Sequence, residues 1–225
     1  MAVDRRRVRA IHRRLERHFG ELLPPRRGDP LHELILTVLS QHTSDVNAER
    51  AFESLRRTFP TWDDTVRARP EEVADAIRSG GLANTKAPRI QAILREIRER
   101  EGRFDLSSLR RMSDREATEY LASLPGVGPK TAAVVLAFAL GRDALPVDTH
   151  VHRVATRLGL IEPRTSAGKA HRVLEELVPA EIRVPLHVGF IRLGREICKA
   201  GRPLCEHCPV FELCPTGPMV LAEHR

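Results

Sequence analysis

Residues 124–132 read Leu-Pro-Gly-Val-Gly-Pro-Lys-Thr-Ala, a glycine turn set between two stretches of helical pattern. Upstream, Ser113 and Glu116 have the spacing of a capping box at the start of a helix that ends near Leu124. Downstream, Lys130 and Thr131 open an apolar helix running through Leu140. Gly126 and Gly128 let the backbone approach a ligand closely, and N–H groups at the start of the second helix can grip a phosphate with help from the helix dipole. Such a grip acts on a nucleic-acid backbone whatever its sequence. Glycine also serves merely to turn many helical hairpins, so the motif needs companions.

Outward from the turn the chain reads as helix throughout, with no alternating strand pattern, so the predicted class is all-α. Val8, Ile11, Leu15 and Phe19 fall at helical spacing in a very basic opening segment, and Leu34, Ile35, Val38 and Leu39 follow the Pro24-Pro25 break. Ser44 is placed to cap a helix bearing Ala48, Ala51, Phe52, Leu55 and Phe59. Pro70 opens a short helix that stops at Gly80-Gly81, and Ile90, Ile93, Leu94 and Ile97 line the next.

Cys198, Cys205, Cys208 and Cys214 are the only cysteines, in a C-x6-C-x2-C-x5-C run. Four thiolates in so short a stretch can close around one inorganic centre, either a tetrahedral zinc or a 4Fe-4S cluster. Zinc sites usually set two close knuckles apart by a long insert, whereas here one C-x2-C is flanked by single cysteines, a spacing that favours iron without excluding zinc. A disulfide framework fits poorly, since 225 residues can build their own core and no hydrophobic secretory signal is visible. With all four cysteines engaged no iron would keep an open position, which points to a structural role.

Lys and Arg number 37 against 30 Asp and Glu, a net charge of +7 that favours a polyanionic partner. Aromatic residues make up 4% of the chain, so platforms for stacking single-stranded bases are scarce. No apolar stretch is long enough to span a bilayer, and a cytoplasmic location is expected, with nucleoid association in a bacterium. Only Lys86, Lys130, Lys169 and Lys199 are lysines, the other cations being arginine. An arginine cannot serve as an amine nucleophile, whereas a lysine can, so each lysine invites a chemical explanation. Drift suffices for Lys169.

Leu124 to Ala132, then Pro146-Val-Asp-Thr-His-Val-His-Arg153, then the four-cysteine run together resemble the endonuclease III family of DNA glycosylase/AP lyases, in the helix-hairpin-helix superfamily. The likeness runs in order from about Leu31 to Cys214. It implies two helical domains with duplex DNA in the cleft between them: a six-helix barrel over residues 27–140, and a discontinuous domain from residues 1–26 and 141–225 that holds a 4Fe-4S cluster on Cys198, Cys205, Cys208 and Cys214. It further implies a monomer acting on damaged bases or abasic sites, with oxidised pyrimidines as substrates and strand cleavage by β-elimination.

The resemblance assigns the nucleophile to Lys130 and the essential carboxylate to Asp148, and the chemistry asks for such a pair. An amine that attacks C1′ and stays bound as a Schiff base couples base loss to strand cleavage, and an acid nearby stabilises charge on the sugar. The bland readings are a phosphate contact for the lysine and a helix N-cap for the aspartate. His150 and Arg153 read as structural or phosphate-contacting.

The target nucleotide must be flipped from the duplex and the gap filled. Gly80-Gly-Leu-Ala-Asn-Thr-Lys86 resembles the family's wedge loop, with Leu82 as wedge and Asn84 beside it. Aligned through Asp45 and Val46, His42 falls where many members carry a gap-filling glutamine, and Gln41 lies one residue earlier, a departure that puts the opposite-base preference in doubt. Gly126, Val127 and Gly128 are expected to hold phosphate, as are Lys199 and Arg202 on the loop from Cys198 to Cys205. Two other readings stand: a monofunctional mismatch adenine glycosylase, disfavoured by Lys130 and by the chain's stopping soon after Cys214, and a non-catalytic hairpin module that binds DNA without altering it.

Overall fold

The computed structural model describes residues 4–23 and 28–223. Among the described residues twelve α-helices, joined by turns, 3-10 segments and one π-turn, account for the fold, and no strand occurs. The chain forms two compact units, one from residues up to 25 together with those from 143 onward, the other from residues 26 to 142. The first crossing and the Pro24-Pro25 break lie outside the described residues.

In the discontinuous unit, α1 (Arg5–Phe19) starts at an Asp4 cap and buries the apolar stripe read from the sequence: Val8, Ile11 and Leu15 are fully buried. They meet α9 (Thr149–Arg157), α10 (Ala167–Leu177) and α11 (Arg183–Glu196) through Val151, Val154, Leu174, Leu186 and Phe190. Gly189 brings α1 and α11 together, since a Cβ there would lie 3.1 Å from Leu15 Cδ1 and 3.2 Å from Leu22 Cδ1. α12 (Gly217–Glu223) follows the cysteine segment.

The second unit is built round α2 (Pro30–Ser40), buried almost along its whole length: Leu31, Leu34, Ile35, Val38 and Leu39 are covered, and so are its polar Glu33 and Thr37. It packs on α3 (Asp45–Thr58), capped by Ser44 as the sequence predicted, and on α8 (Pro129–Val134). The short α4 (Trp62–Arg67) and α5 (Pro70–Ala76) lie against the long α6 (Ala83–Glu101), where the buried Gln91 amide donates to the carbonyls of Thr65 at 2.9 Å and Ala68 at 2.8 Å. α5 stops earlier than its sequence suggests, and a 3-10 turn at Arg78–Gly80 carries the chain to Gly81. α7 (Asp114–Ala122) has the Ser113–Glu116 capping box. The apolar run after Lys130 is helical but not uniformly so: beyond Val134 it widens into a π-turn over Val135–Ala139, closed by Leu140 N–H to Val135 O at 3.2 Å.

Leu15, fully buried between α1 and α11, should be among the costliest truncations in its unit. Leu15→Ala is expected to lower unfolding free energy by about 2–5 kcal/mol, read as a shifted denaturant midpoint.

Candidate functional site

The glycine turn is shaped by one inward bond and one plug. Val127 N–H donates to Leu124 O at 3.1 Å, and the Val127 side chain is buried beneath the turn. Gly126 takes φ +70, a left-handed conformation that suits glycine, and Pro129 opens α8 at a position where its missing N–H costs nothing. Lys130 follows as the second residue of α8, half-buried. Gly126 has a second reason to be glycine, because a Cβ there would stand 2.6 Å from Arg89 Nε and 2.7 Å from Arg89 Cδ. The same Arg89, from the first half of α6, donates Nη1–H to Gln41 Oε1 at 3.0 Å.

Gln41 caps the C-terminus of α2, and His42 after it is exposed with φ +56. Leu82 precedes α6 with φ +49 and is 56% exposed, a large apolar side chain held in the open by a backbone conformation that disfavours it. Asn84 is exposed in the first turn of the same helix. Two non-glycine residues in the left-handed region each cost on the order of 1–3 kcal/mol, so the surroundings must hold them there. Beneath both lies Lys86, 1% exposed, whose Nζ donates to Leu39 O at 2.7 Å and Gly80 O at 2.8 Å. Burial, and secondarily the charge of Arg89, lowers the Lys86 pKa.

In the other unit Asp148 caps α9, its Oδ1 accepting from Val151 N–H at 2.8 Å. The cap is the bland role, yet it occupies one carboxylate oxygen and fixes the direction of the second. Arg153 donates to Gly194 O at 2.8 Å and Cys198 O at 3.0 Å, and one of its nitrogens lies 3.2 Å from His150 Nδ1, so this pair ties α9 to the end of α11.

Cys198, Cys205, Cys208 and Cys214 line one small pocket, partly open to solvent and walled also by Arg157, Ile197, Pro203 and Phe211. All four are free thiols. Among the described residues no three His, Cys, Asp or Glu side chains converge as ligands of a single ion would. Burial pushes the Cys208 thiol up to about 11 and raises that of Cys205, so a metal centre entering here would displace protons. The donor set is sulfur alone, which suits a soft centre. Arg157 braces the wall: its guanidinium donates to Lys199 O at 2.7 Å and Ala200 O at 3.0 Å and reaches Cys198 Sγ at 3.4 Å, while Lys199 and Arg202 are exposed on the loop so held.

Gln41, His42, Leu82, Asn84, Lys130 and the glycine turn thus belong to one unit, and Asp148, Lys199, Arg202 and the thiols to the other. Arg89 and Arg157 escaped sequence reading because a chain so rich in arginine gives no signal for any one of them. Lys86 carried a signal in its rarity.

The pattern of the HhH-GPD superfamily of base excision DNA repair proteins matches residues 35–180. Endonuclease III of Thermotoga maritima is 38% identical over 207 residues, 92% of this chain and 90% of that one. Endonuclease III of Bacillus subtilis is 34% identical over 204 residues, covering 88% and 89%. A trapped endonuclease III–DNA covalent intermediate superposes with a TM-score of 0.83 at 31% identity, covering 98% of this chain and 100% of that one.

Gly126→Ala should destabilise the protein by about 1–3 kcal/mol through φ and the Arg89 collision together. Arg89→Ala in the same chain should recover part of the loss, and a double-mutant cycle by chemical denaturation measures how much.

Proposed function

The chain belongs to the HhH-GPD superfamily of base excision DNA repair proteins and, within it, to the endonuclease III family; from that membership we propose that it is a DNA glycosylase with AP lyase activity that removes oxidised pyrimidines such as thymine glycol from duplex DNA. The observation that carries the reading is Lys130 in the first turn of the helix behind a Gly-Val-Gly turn, in a fold that matches an endonuclease III bound covalently to DNA.

The phosphate of the damaged nucleotide would be held by the backbone of Gly126 to Gly128, which brings the sugar to Lys130. The neutral amine attacks C1′, the bond from C1′ to the base breaks, and the base leaves with a proton. The C1′–O4′ bond then breaks, O4′ takes a proton, and an imine is left between Lys130 Nζ and the opened sugar. A proton is then taken from C2′, the electron pair forms the C2′–C3′ double bond, and the 3′ phosphate departs. Hydrolysis of the imine frees the enzyme. Asp148, with one oxygen fixed by its cap, is assigned to stabilise positive charge on the sugar and to carry protons. Leu82 would wedge the stack, His42 would occupy the emptied position beside Gln41, and Asn84, Lys199 and Arg202 would contact the strand.

We assign Cys198, Cys205, Cys208 and Cys214 to a 4Fe-4S cluster. The donors are sulfur alone, and one C-x2-C flanked by single cysteines departs from the two close knuckles usual for zinc. Cys198, Cys205, Cys208 and Cys214 would hold the cluster, which would cross-link the loop bearing Lys199 and Arg202 to the segment after it, a structural contribution. The partner is duplex DNA, met by the protein as a monomer. No helix among the described residues is long and apolar enough to cross a membrane.

Borohydride should trap the wild-type protein on a duplex containing an abasic site, and Lys130→Gln should abolish trapping and nicking while leaving binding largely intact. Asp148→Asn should slow single-turnover cleavage by about 10²- to 10⁴-fold, with little change in affinity. Trapping of Lys130→Gln at the wild-type level would mean that another amine is the nucleophile.

Protein purified as expressed should be yellow-brown with about four irons per chain. Cys205→Ser should lose colour and loop protection in hydrogen exchange. One tightly bound zinc in a colourless, active protein would overturn the cluster assignment.

A further inference from the structure

The two residues assigned to enter the duplex, His42 and Leu82, stand on loops fastened to a single buried point. Lys86 Nζ bonds to Leu39 O, three residues before His42, and to Gly80 O, two residues before Leu82. The loops also touch each other. A Cβ on Gly80 would lie 3.1 Å from Ala51 Cβ and 3.7 Å from Leu39 O, and one on Gly81 would lie 4.0 Å from His42 O. Each loop ends in a non-glycine residue with positive φ, so neither is held in place by local backbone preference.

We propose that Lys86 is a positioning residue for nucleotide extrusion, its ammonium setting the spacing between the His42 and Leu82 loops so that both side chains engage the duplex together. The proposal rests on reading Leu82 and His42 as the inserting groups. A compact ammonium with tetrahedrally directed donors can converge on two carbonyls from different segments, which the flat fork of a guanidinium does poorly, and this accounts for a lysine where the chain otherwise writes arginine. The Leu39 carbonyl belongs to the last turn of α2, where the helix dipole favours a cation, so the buried charge is met by oriented backbone groups. An exposure of only 1% keeps Nζ from water and from DNA, so Lys86 acts only through the loops it holds.

The test compares excision of thymine glycol from a paired duplex with nicking of a preformed abasic site, both under single turnover. Lys86→Met, which keeps length and apolar volume but removes the donors, should lower excision at least about tenfold and nicking less than about threefold. Fluorescence of 2-aminopurine opposite the lesion should show slower extrusion. In a His42→Ala, Leu82→Ala background, Lys86→Met should change excision by less than about twofold, because a residue that acts through those side chains has nothing left to position. Equal losses on both substrates, or a full tenfold loss in the doubly substituted background, would reduce Lys86 to a stability element and overturn the proposal. An unchanged excision rate in the His42→Ala, Leu82→Ala protein alone would sink the insertion reading and the proposal with it. Should Lys86→Met fail to fold, Gly81→Ala is the second variant: at φ +67 it displaces the same loops with the ammonium in place, and it should give the same selective loss of excision. A loss from Gly81→Ala that is equal on both substrates counts against the proposal.

Discussion

Helices leave carbonyl oxygens unsatisfied at their C-terminal ends, and in this protein long cationic side chains supply the donors. Arg183 reaches the carbonyls of Glu175, Val178 and Asp143, Arg142 those of Leu109 and Met112, Arg157 those of Lys199 and Ala200, and Arg7 those of Leu158 and Leu213. A helical chain with no strand among its described residues has to close its turns locally or through side chains. A guanidinium does this well, since one planar group reaches two or three oxygens at once and its charge suits the negative end of a helix.

That use of arginine changes what the net charge of +7 means. Some of the cations, among them Arg7, Arg142, Arg157 and Arg183, are only partly exposed and fasten loops, while most of the described arginines are exposed and, with Lys199 and Arg202 beside the thiol pocket, set the field offered to a polyanion. It also explains why a single lysine stands out. Lys86 performs the same carbonyl-tying task with a compact ammonium that converges on two backbone oxygens, and the segments it ties carry His42 and Leu82.

The sequence made the helical class, the Ser44 and Ser113 caps and the apolar stripe of α1 legible because these depend on residues within a few positions of one another. The four cysteines and the glycine turn were legible for the same reason. The π-turn at Val135–Ala139 was not, since an apolar run keeps its hydrophobic character whether a turn holds one residue more or fewer. Nor was the link from Gly126 through Arg89 to Gln41, which joins three distant segments and needs φ and side-chain direction to be seen. His42 was recognised as a departure by alignment, but its left-handed backbone is set by the packing of two loops that no local pattern records.

The discontinuous unit imposes an order on events as the chain leaves the ribosome. Val8, Ile11 and Leu15 are made first, but their cover on α11, Leu186 and Phe190, is made last but for the thiol segment. At about 5–20 residues per second, the apolar stripe of α1 waits on the order of 10–40 s before it can be buried. Residues 26 to 142 form a compact unit whose sequence is complete early, so their core can close during that wait. The nascent protein therefore holds a finished unit with an unsheltered amphipathic helix trailing from it, a natural binding target for a chaperone. Capture of α1 by its late-made neighbours is the step that completes the molecule, and only afterwards do the thiols beside α9 and α11 have a scaffold around which to gather.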